Sequence, residues 1–507
     1  MKAGRGGWLG AAFVAELAAV YLWRLPLLYN FNNFAFWDCG GYLVAHDLLK
    51  QGLRPGIDFG WQYGLLPLLV QEACYAMAGA TPGSFLLISA IVTVWFALAL
   101  GQIAAAGGGR ERLLVAAALP FITELGADLP HILEAALLAT AILSQLRGRY
   151  RAALGLATAA VFTKPTMGYL YGAILVAIVG IECERTRRAG QARLTEIVGR
   201  VGRELLPAAL VGVVLVTLLG ARFGAAAVAT TLLPSAGAQA YHVLHLGIFD
   251  SGSRFLYLPG ATLGYYFGTP VVFWIAGTAA LVAASAIALG GHVEWGRRFA
   301  VMVSCTIMHL GFIGVFFGGP ASWQYYAYVL VSGLVMAGGL AGWRLITLVL
   351  CGLAVLANVS WIENAAAGWR RMVRSPETAG LYAPAAELAE WAQLRAAAGG
   401  ERVVVSSWIG AAGRLCPWVE REPAAFLVPG VATAGDLARE HAALSAATWI
   451  IAPNIPGMLS LAEWPAREFA SASECRQEVF HGRYFVAWRT TGETPECLAR
   501  AATRPKH

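Results

Sequence analysis

An aspartate, Asp38, stands beside Trp37 just after the first long apolar run of the chain. Desolvation raises the pKa of a carboxylate held beside apolar groups at a membrane surface, and a raised pKa suits a general base. Two surface elements follow it. Tyr42, Leu43, Ala45, Leu48 and Leu49 share one side of a helix predicted over 42–51, with His46, Asp47 and Lys50 on the other. Gly52 reads as its stop. Arg54-Pro55-Gly56-Ile57-Asp58-Phe59 then turns the chain towards Gln62-Tyr63-Gly64, where a second apolar stretch, 64–79, begins. An acid between two such helices is placed to meet a lipid head group. Lys164 is the other unusual charge. It lies in Phe162-Thr163-Lys164-Pro165-Thr166, a turn between two apolar runs. The eight cysteines are scattered with no CxxC, so neither a zinc site nor a thiol redox motif is written in the chain.

Holding these residues falls to a membrane scaffold. Of 507 residues, 58% are hydrophobic and 13% charged, and the mean hydropathy is +0.60. A soluble domain carries roughly 25% charged residues. The composition excludes a disordered chain and argues against a water-soluble enzyme. About 11 candidate spans can be marked by length and apolarity. They lie near 8–28, 84–106, 113–125, 131–146, 152–163, 166–181, 205–221, 268–290, 299–317, 325–341 and 345–361. The first ends in Leu22-Trp23-Arg24-Leu25-Pro26, without the small-residue cleavage site of a signal peptide. Glu16 lies inside it, where charge is costly.

The net charge of +7 does not argue for nucleic acid, because most of the cations sit in short loops where they set topology. With the N-terminus in the cytoplasm, the inner side collects Arg110, Arg112, Arg147, Arg149, Arg151, the arginines from Arg185 to Arg203, Arg297, Arg298 and Arg344. The outer side keeps Arg24, Lys50, Arg54, Lys164, Arg222 and Arg254. A second arrangement, in which 64–79 spans and the N-terminus lies outside, satisfies the bias equally. The short length of 64–79, its central Gln71-Glu72 and the basic N-terminal stub favour an interfacial helix. Residues 1–361 then form the transmembrane module, with a first outer loop over 29–83. Residues 362–507 change character. A helix over 384–397 and apolar strands at 402–406, 448–453 and 484–488 predict a small α/β domain with a partly parallel sheet. An odd number of spans puts it outside the cytoplasm. Cys416, Cys475 and Cys497 lie there, as one disulfide and a free thiol or as three free cysteines.

The first loop resembles the GT-C superfamily of membrane glycosyltransferases, in its protein O-mannosyltransferase and aminoarabinose transferase branch. The resemblance is carried by Trp37-Asp38-Cys39-Gly40-Gly41-Tyr42, by the helix ending Leu48-Leu49-Lys50-Gln51-Gly52, and by Asp58-Phe59 followed by Tyr63-Gly64-Leu65-Leu66-Pro67. It covers that loop and the next five spans well, and the remainder in outline. It implies a polytopic α-helical fold of GT-C type and a location in the plasma (inner) membrane, as part of the cell-envelope machinery. It implies a sugar carried on a polyprenyl phosphate as donor, and a glycan, lipid or protein acceptor outside the cytoplasm. Transfer would invert the anomeric carbon, with Asp38 as general base. Many relatives have Asp-Glu where this chain has Asp38-Cys39, so a second acid comes from elsewhere or is dispensable.

Other candidates follow from the same resemblance. Asp128, in Gly126-Ala127-Asp128-Leu129-Pro130-His131, would help orient the acceptor or hold a divalent cation with Asp38. Its bland alternative is a cap on the helix starting at Pro130. His131 is a ligand or, as helix-start histidines more often are, simply solvated. Lys164 would contact the donor phosphate, with Arg54 or Arg254 as helpers, or else snorkel to the head groups. Asp58 and Tyr63 are expected at the substrate, with Asp58 also a candidate for shaping the turn. Gln324 and Tyr325, in Ser322-Trp323-Gln324-Tyr325-Tyr326, resemble the family's aromatic stretch there, or anchor the interface. The segment 241–254, with Asp250, is a candidate lid. A transporter or flippase is the competing class. Its marks are internal repeats, broken helices and mid-membrane charges, whereas here the unusual polar residues gather in loops on one face.

Overall fold

The computed structural model describes residues 34–61, 63–107, 111–122, 129–189, 194–233, 269–290, 296–315, 326–338, 343–374, 385–405, 420–421, 433–436, 446–453, 476–483 and 485–490, with single positions between 15 and 23 and at 438 and 442. Helices dominate. In chain order they are α1 (Phe34–Lys50), α2 (Leu65–Ala78), α3 (Pro82–Gly107), α4 (Glu111–Ile122), α5 (Leu129–Leu146), α6 (Tyr150–Val161), α7 (Pro165–Arg188), α8 (Leu194–Phe223), α9 (Ala225–Leu232), α10 (Thr269–Gly290), α11 (Arg297–Val315), α12 (Ala327–Gly338), α13 (Arg344–Arg374) and α14 (Ala385–Ala398). Among the described residues, 5 helices are long and apolar enough to cross a membrane: within α3, α5, α7, α8 and α10. The chain is an integral membrane protein. Each candidate span from 84–106 onward coincides with a helix, five of them with the helices just named; the first, 8–28, lies mostly outside the described residues. The helix marked at 345–361 runs on to Arg374.

Burial sorts the helices. α5 is central: Leu129 through Ala139 are all buried, and it packs against α3 and α6. α8 is peripheral, exposing Leu206, Leu210, Val213, Val214 and Leu218. Exposed apolar residues over such a length would be a liability in water and are natural against lipid. Polar pairs join the inner helices. Gln145 donates to Ser304 at 2.9 Å and accepts from the Tyr171 hydroxyl at 2.7 Å, tying α5 to α11 and α7. Trp95 donates to Thr140 at 2.9 Å. In hydrocarbon such bonds join helices that gain little from further apolar burial.

The first loop departs from expectation at one end. α1 begins at Phe34, well before 42, so Asp38 lies within the helix rather than ahead of it. Asp38 is therefore no N-cap of this helix; its side chain, like those of its neighbours through Gly40, lies outside the described ones. The other end is as read. Gly52 adopts φ +80, Leu53 N–H donates to Leu48 O at 3.1 Å and Gly52 N–H to Leu49 O at 3.1 Å. This is the Schellman closure, which glycine completes without strain. His46 does not face water: it is buried, and Nδ1 lies 2.8 Å from Glu72 Oε1. Arg222 Nη2 reaches the other Glu72 oxygen at 3.4 Å, so α1, α2 and α8 meet at one ionic cluster. α2 has 14 residues. It measures about 21 Å, short of the roughly 30 Å of a hydrocarbon core.

Towards the C-terminus, β1 (Val403–Val405), β2 (Glu420–Arg421), β3 (Trp449–Pro453), β4 (Arg476–His481) and β5 (Phe485–Thr490) form one sheet in the order β2-β1-β3-β5-β4. β1 pairs in parallel with β2 and β3, while β3–β5 and β5–β4 are antiparallel. The apolar runs at 402–406, 448–453 and 484–488 thus form the three central strands. The polar edge strands β2 and β4 have no apolar run to mark them. α14 covers the sheet through Trp391, whose ring lies 4.3 Å from that of Phe485. Cys416, Cys475 and Cys497 lie outside the described residues.

Candidate functional site

Lys164 is the N-cap of α7, with Pro165 at its first position. Proline is suited to that place, because its fixed φ fits the helix and its missing N–H would have had no intrahelical partner. The Lys164 side chain does not run outward. It is 7% exposed, and Nζ lies 3.2 Å from His131 Nε2. An ammonium only donates, so Nε2 accepts and the ring proton sits on Nδ1. Nζ also lies 5.5 Å from the centre of the Tyr326 ring, within the range of a cation–π contact. The Tyr326 hydroxyl donates to Glu134 Oε2 at 3.1 Å. His131 and Glu134 stand three residues apart on α5 and so share a face. Both are buried. A lysine, a histidine, a tyrosine and a glutamate are thereby gathered where α5, α7 and α12 begin.

The first loop closes this group on another side. Tyr63 packs its ring edge-on to His131 at 5.8 Å. Tyr63 is held by Trp61, at 6.2 Å, and Trp61 by Tyr42 of α1, at 5.1 Å. The Trp61 indole donates to Gly64 O at 3.2 Å. Backbone bonds fix the two segments: Gly64 N–H donates to Thr163 O at 3.0 Å and Leu66 N–H to Phe162 O at 2.9 Å. Only glycine fits at 64. A Cβ there would lie 2.0 Å from Phe162 O and 2.4 Å from its carbonyl carbon. The Tyr63-Gly64 pair of the sequence motif therefore docks the loop directly on the turn that presents Lys164.

Arg54 and Asp58 lie on the same first loop. They pair with each other: Arg54 Nε donates to Asp58 Oδ2 at 2.9 Å, and the Arg54 backbone N–H to the same oxygen at 2.9 Å. Both bonds close the turn at 54–58, which is the shaping role open to Asp58. The pairing with Asp58 raises the Arg54 pKa further above its ordinary value. Asp128, Arg254, Gln324, Tyr325 and the segment 241–254 lie outside the described residues, as does the Asp38 side chain. Tyr326, next to the predicted pair, is an aromatic that meets Lys164. His131 corrects an expectation: placed at a helix start, it is buried against Lys164 and Tyr63 rather than solvated. Glu134 is a member that motif and spacing do not point to. Its signal is a carboxylate inside the apolar run 131–146, which membrane energetics marks as a candidate functional residue. Among the described residues, no three His, Cys, Asp or Glu side chains are grouped to hold a metal ion; Asp38 and Asp128, the pair suggested for a cation, are not within that description.

No family model matches the chain, and no curated protein does. Two solved structures are similar in outline. One is ArnT from Cupriavidus metallidurans bound to undecaprenyl phosphate, at 13% identity, with 95% of this chain and 98% of that chain covered and a TM-score of 0.34. The other is ArnT from Cupriavidus metallidurans in the apo state, at 12% identity, covering 95% of this chain and 97% of that one, with a TM-score of 0.33. ArnT is a GT-C glycosyltransferase, the superfamily that the first loop resembles. At these TM-scores the likeness carries no argument, and the functional reading of this chain rests on its own residues.

Proposed function

We propose that the protein is a membrane glycosyltransferase that moves a sugar from a polyprenyl-phosphate donor to an acceptor outside the cytoplasm. The observation that carries this reading is the buried Lys164 ammonium, held by His131 and Tyr326 where the motif-bearing first loop docks. A phosphate oxygen is an anionic acceptor suited to a buried point charge of this kind. In this reading the acceptor oxygen attacks the anomeric carbon as the bond from that carbon to the phosphate oxygen breaks. The acceptor proton passes to Asp38, and the polyprenyl phosphate departs with its added negative charge beside Lys164. Attack from the face opposite the leaving group inverts the anomeric carbon. His131 orients Lys164, Glu134 fixes Tyr326, and Tyr63 lines the sugar side. The segment over 362–507 faces the outer compartment of the plasma (inner) membrane in the same scheme.

A transporter would be expected to keep its ionisable residues at mid-membrane depth. His131 and Glu134 instead stand within the first two turns of α5, about 3 to 8 Å along its axis from the start.

Binding of polyprenyl phosphate to purified protein tests the phosphate assignment. Lys164→Gln keeps a donor for His131 and loses the charge, so affinity should fall roughly tenfold or more, the size of a lost charge-assisted bond. Lys164→Arg should restore part of it. Wild-type affinity in Lys164→Gln would remove Lys164 from the phosphate site.

A further inference from the structure

Asp436 lies in the C-terminal α/β segment and is fully buried. One of its oxygens, Oδ2, accepts three hydrogen bonds: from Thr433 N–H at 2.8 Å, from the Thr433 hydroxyl at 2.8 Å, and from Gly60 N–H at 2.6 Å. The Asp436 N–H returns a bond to Thr433 Oγ1 at 3.1 Å. The reciprocal bonds with Thr433 are a capping box on the helical turn that starts at 434. That motif explains Thr433 and leaves Gly60 over, because capping needs no partner 376 residues away. The box also needs no buried charge at its third position: a neutral side-chain amide oxygen serves there, and a carboxylate is the costlier group to desolvate. The same carboxylate oxygen also holds the first loop, through Gly60.

We propose that Asp436 is a positioning residue, tethering the C-terminal segment to the first loop and holding that loop against the Lys164 site. Gly60 is followed by Trp61, wedged between Tyr42 and Tyr63, and Tyr63 meets His131, the partner of Lys164. The path from the tether to the buried ammonium runs through Gly60 and Trp61, then the edge-on rings of Trp61, Tyr63 and His131, then Nζ. A loop anchored only by Gly64 and Leu66 would be fixed at one end. Asp436 fixes the other end, four residues earlier. Through Asp436 the C-terminal segment thereby supports the Lys164 site. Its catalytic consequence rests on the glycosyltransferase reading above; the tether itself does not.

Hydrogen exchange on the full-length protein in detergent decides the tether. Asp436→Ala should speed exchange of the peptide covering 59–63 roughly ten- to hundredfold, the loss of a hydrogen bond to a charged acceptor. Asp436→Asn keeps an acceptor oxygen and should fall between Ala and wild type, and it serves if the alanine variant does not fold. Thr433→Ala removes only the local hydroxyl and should leave 59–63 protected. Exchange at 59–63 unchanged in both Asp436 variants would overturn the proposal. Turnover with a polyprenyl-phosphate-linked sugar supplies the second readout. A positioning role raises KM for the donor more than it lowers kcat, whereas a merely structural role lowers folded yield and leaves both constants of the folded fraction unchanged, which would also overturn it. A wild-type protein that transfers no sugar would sink the glycosyltransferase reading, and exchange would still decide the tether.

Discussion

Replacing Gly64 with alanine puts a methyl group where backbone already stands. The new carbon would lie 2.0 Å from Phe162 O, 2.4 Å from Phe162 C and 2.9 Å from Thr163 N. None of these is the end of a flexible side chain, so the two segments must separate. Overpacking of this kind costs about 1–3 kcal/mol. Separation also stretches the bonds Gly64 N–H to Thr163 O and Leu66 N–H to Phe162 O, each worth about 0.5–1.5 kcal/mol. The expected loss is therefore about 2–6 kcal/mol, concentrated at the loop that faces Lys164. The control is Gly172→Ala, within α7, where an added Cβ meets nothing within 4 Å. That change should be neutral or stabilising by up to about 1 kcal/mol. Thermal unfolding of the purified proteins, run side by side, reads the difference, and donor affinity should fall with Gly64→Ala alone. A Gly64→Ala protein as stable as wild type would refute the docking of the loop on the 162–163 turn.

Two further predictions concern topology and pH. A cysteine at Asn33, in a background lacking Cys39, should react with an impermeant thiol reagent added to intact cells; labelling only after lysis would put the first loop in the cytoplasm and end the proposed function. The hydrogen bonds from Arg489 and Trp449 hold the Glu401 carboxyl below its ordinary pKa. A depressed folded value stabilises the fold above the ordinary carboxylate pKa of about 4.3 and loses that support as pH falls through the folded value. Unfolding midpoints of wild type and Glu401→Gln should therefore differ near neutrality and converge in acid, modestly, because the pair is partly exposed to screening solvent. A constant difference across that range would contradict the assignment.

Strong local signals are what made parts of the fold legible in the sequence. Long apolar runs mark the helices, and three short ones mark β1, β3 and β5, because burial on both faces leaves an unbroken apolar stretch. Gly52 as the stop of α1 is readable for a similar reason: a glycine after a lysine-ended helix has few other uses. The start of α1 is not, since Phe34 to Gly41 carry no helical periodicity of polar residues. The site is half legible. Lys164 and Tyr63 stand out by type and place. Their meeting does not, because it depends on backbone contact between 64–66 and 162–163, across about a hundred residues with no pattern linking them. His131 misleads because helix starts are usually wet, and here the first loop covers this one. Asp436 gives no sign at all: as part of Thr433-Ala434-Gly435-Asp436 it reads as an ordinary cap, and its second partner is a backbone N–H.

The central claim is that Asp38 drives transfer from a lipid-linked sugar, and turnover by matched amounts of folded protein measures it most directly. Wild type should transfer sugar from a polyprenyl-phosphate donor to an acceptor. Asp38→Asn keeps the size and loses the basicity, so the rate should fall about 10²–10⁴-fold, the usual worth of general-base assistance, with folded yield and donor binding retained. An Asp38→Asn protein that turns over at the wild-type rate would contradict the account.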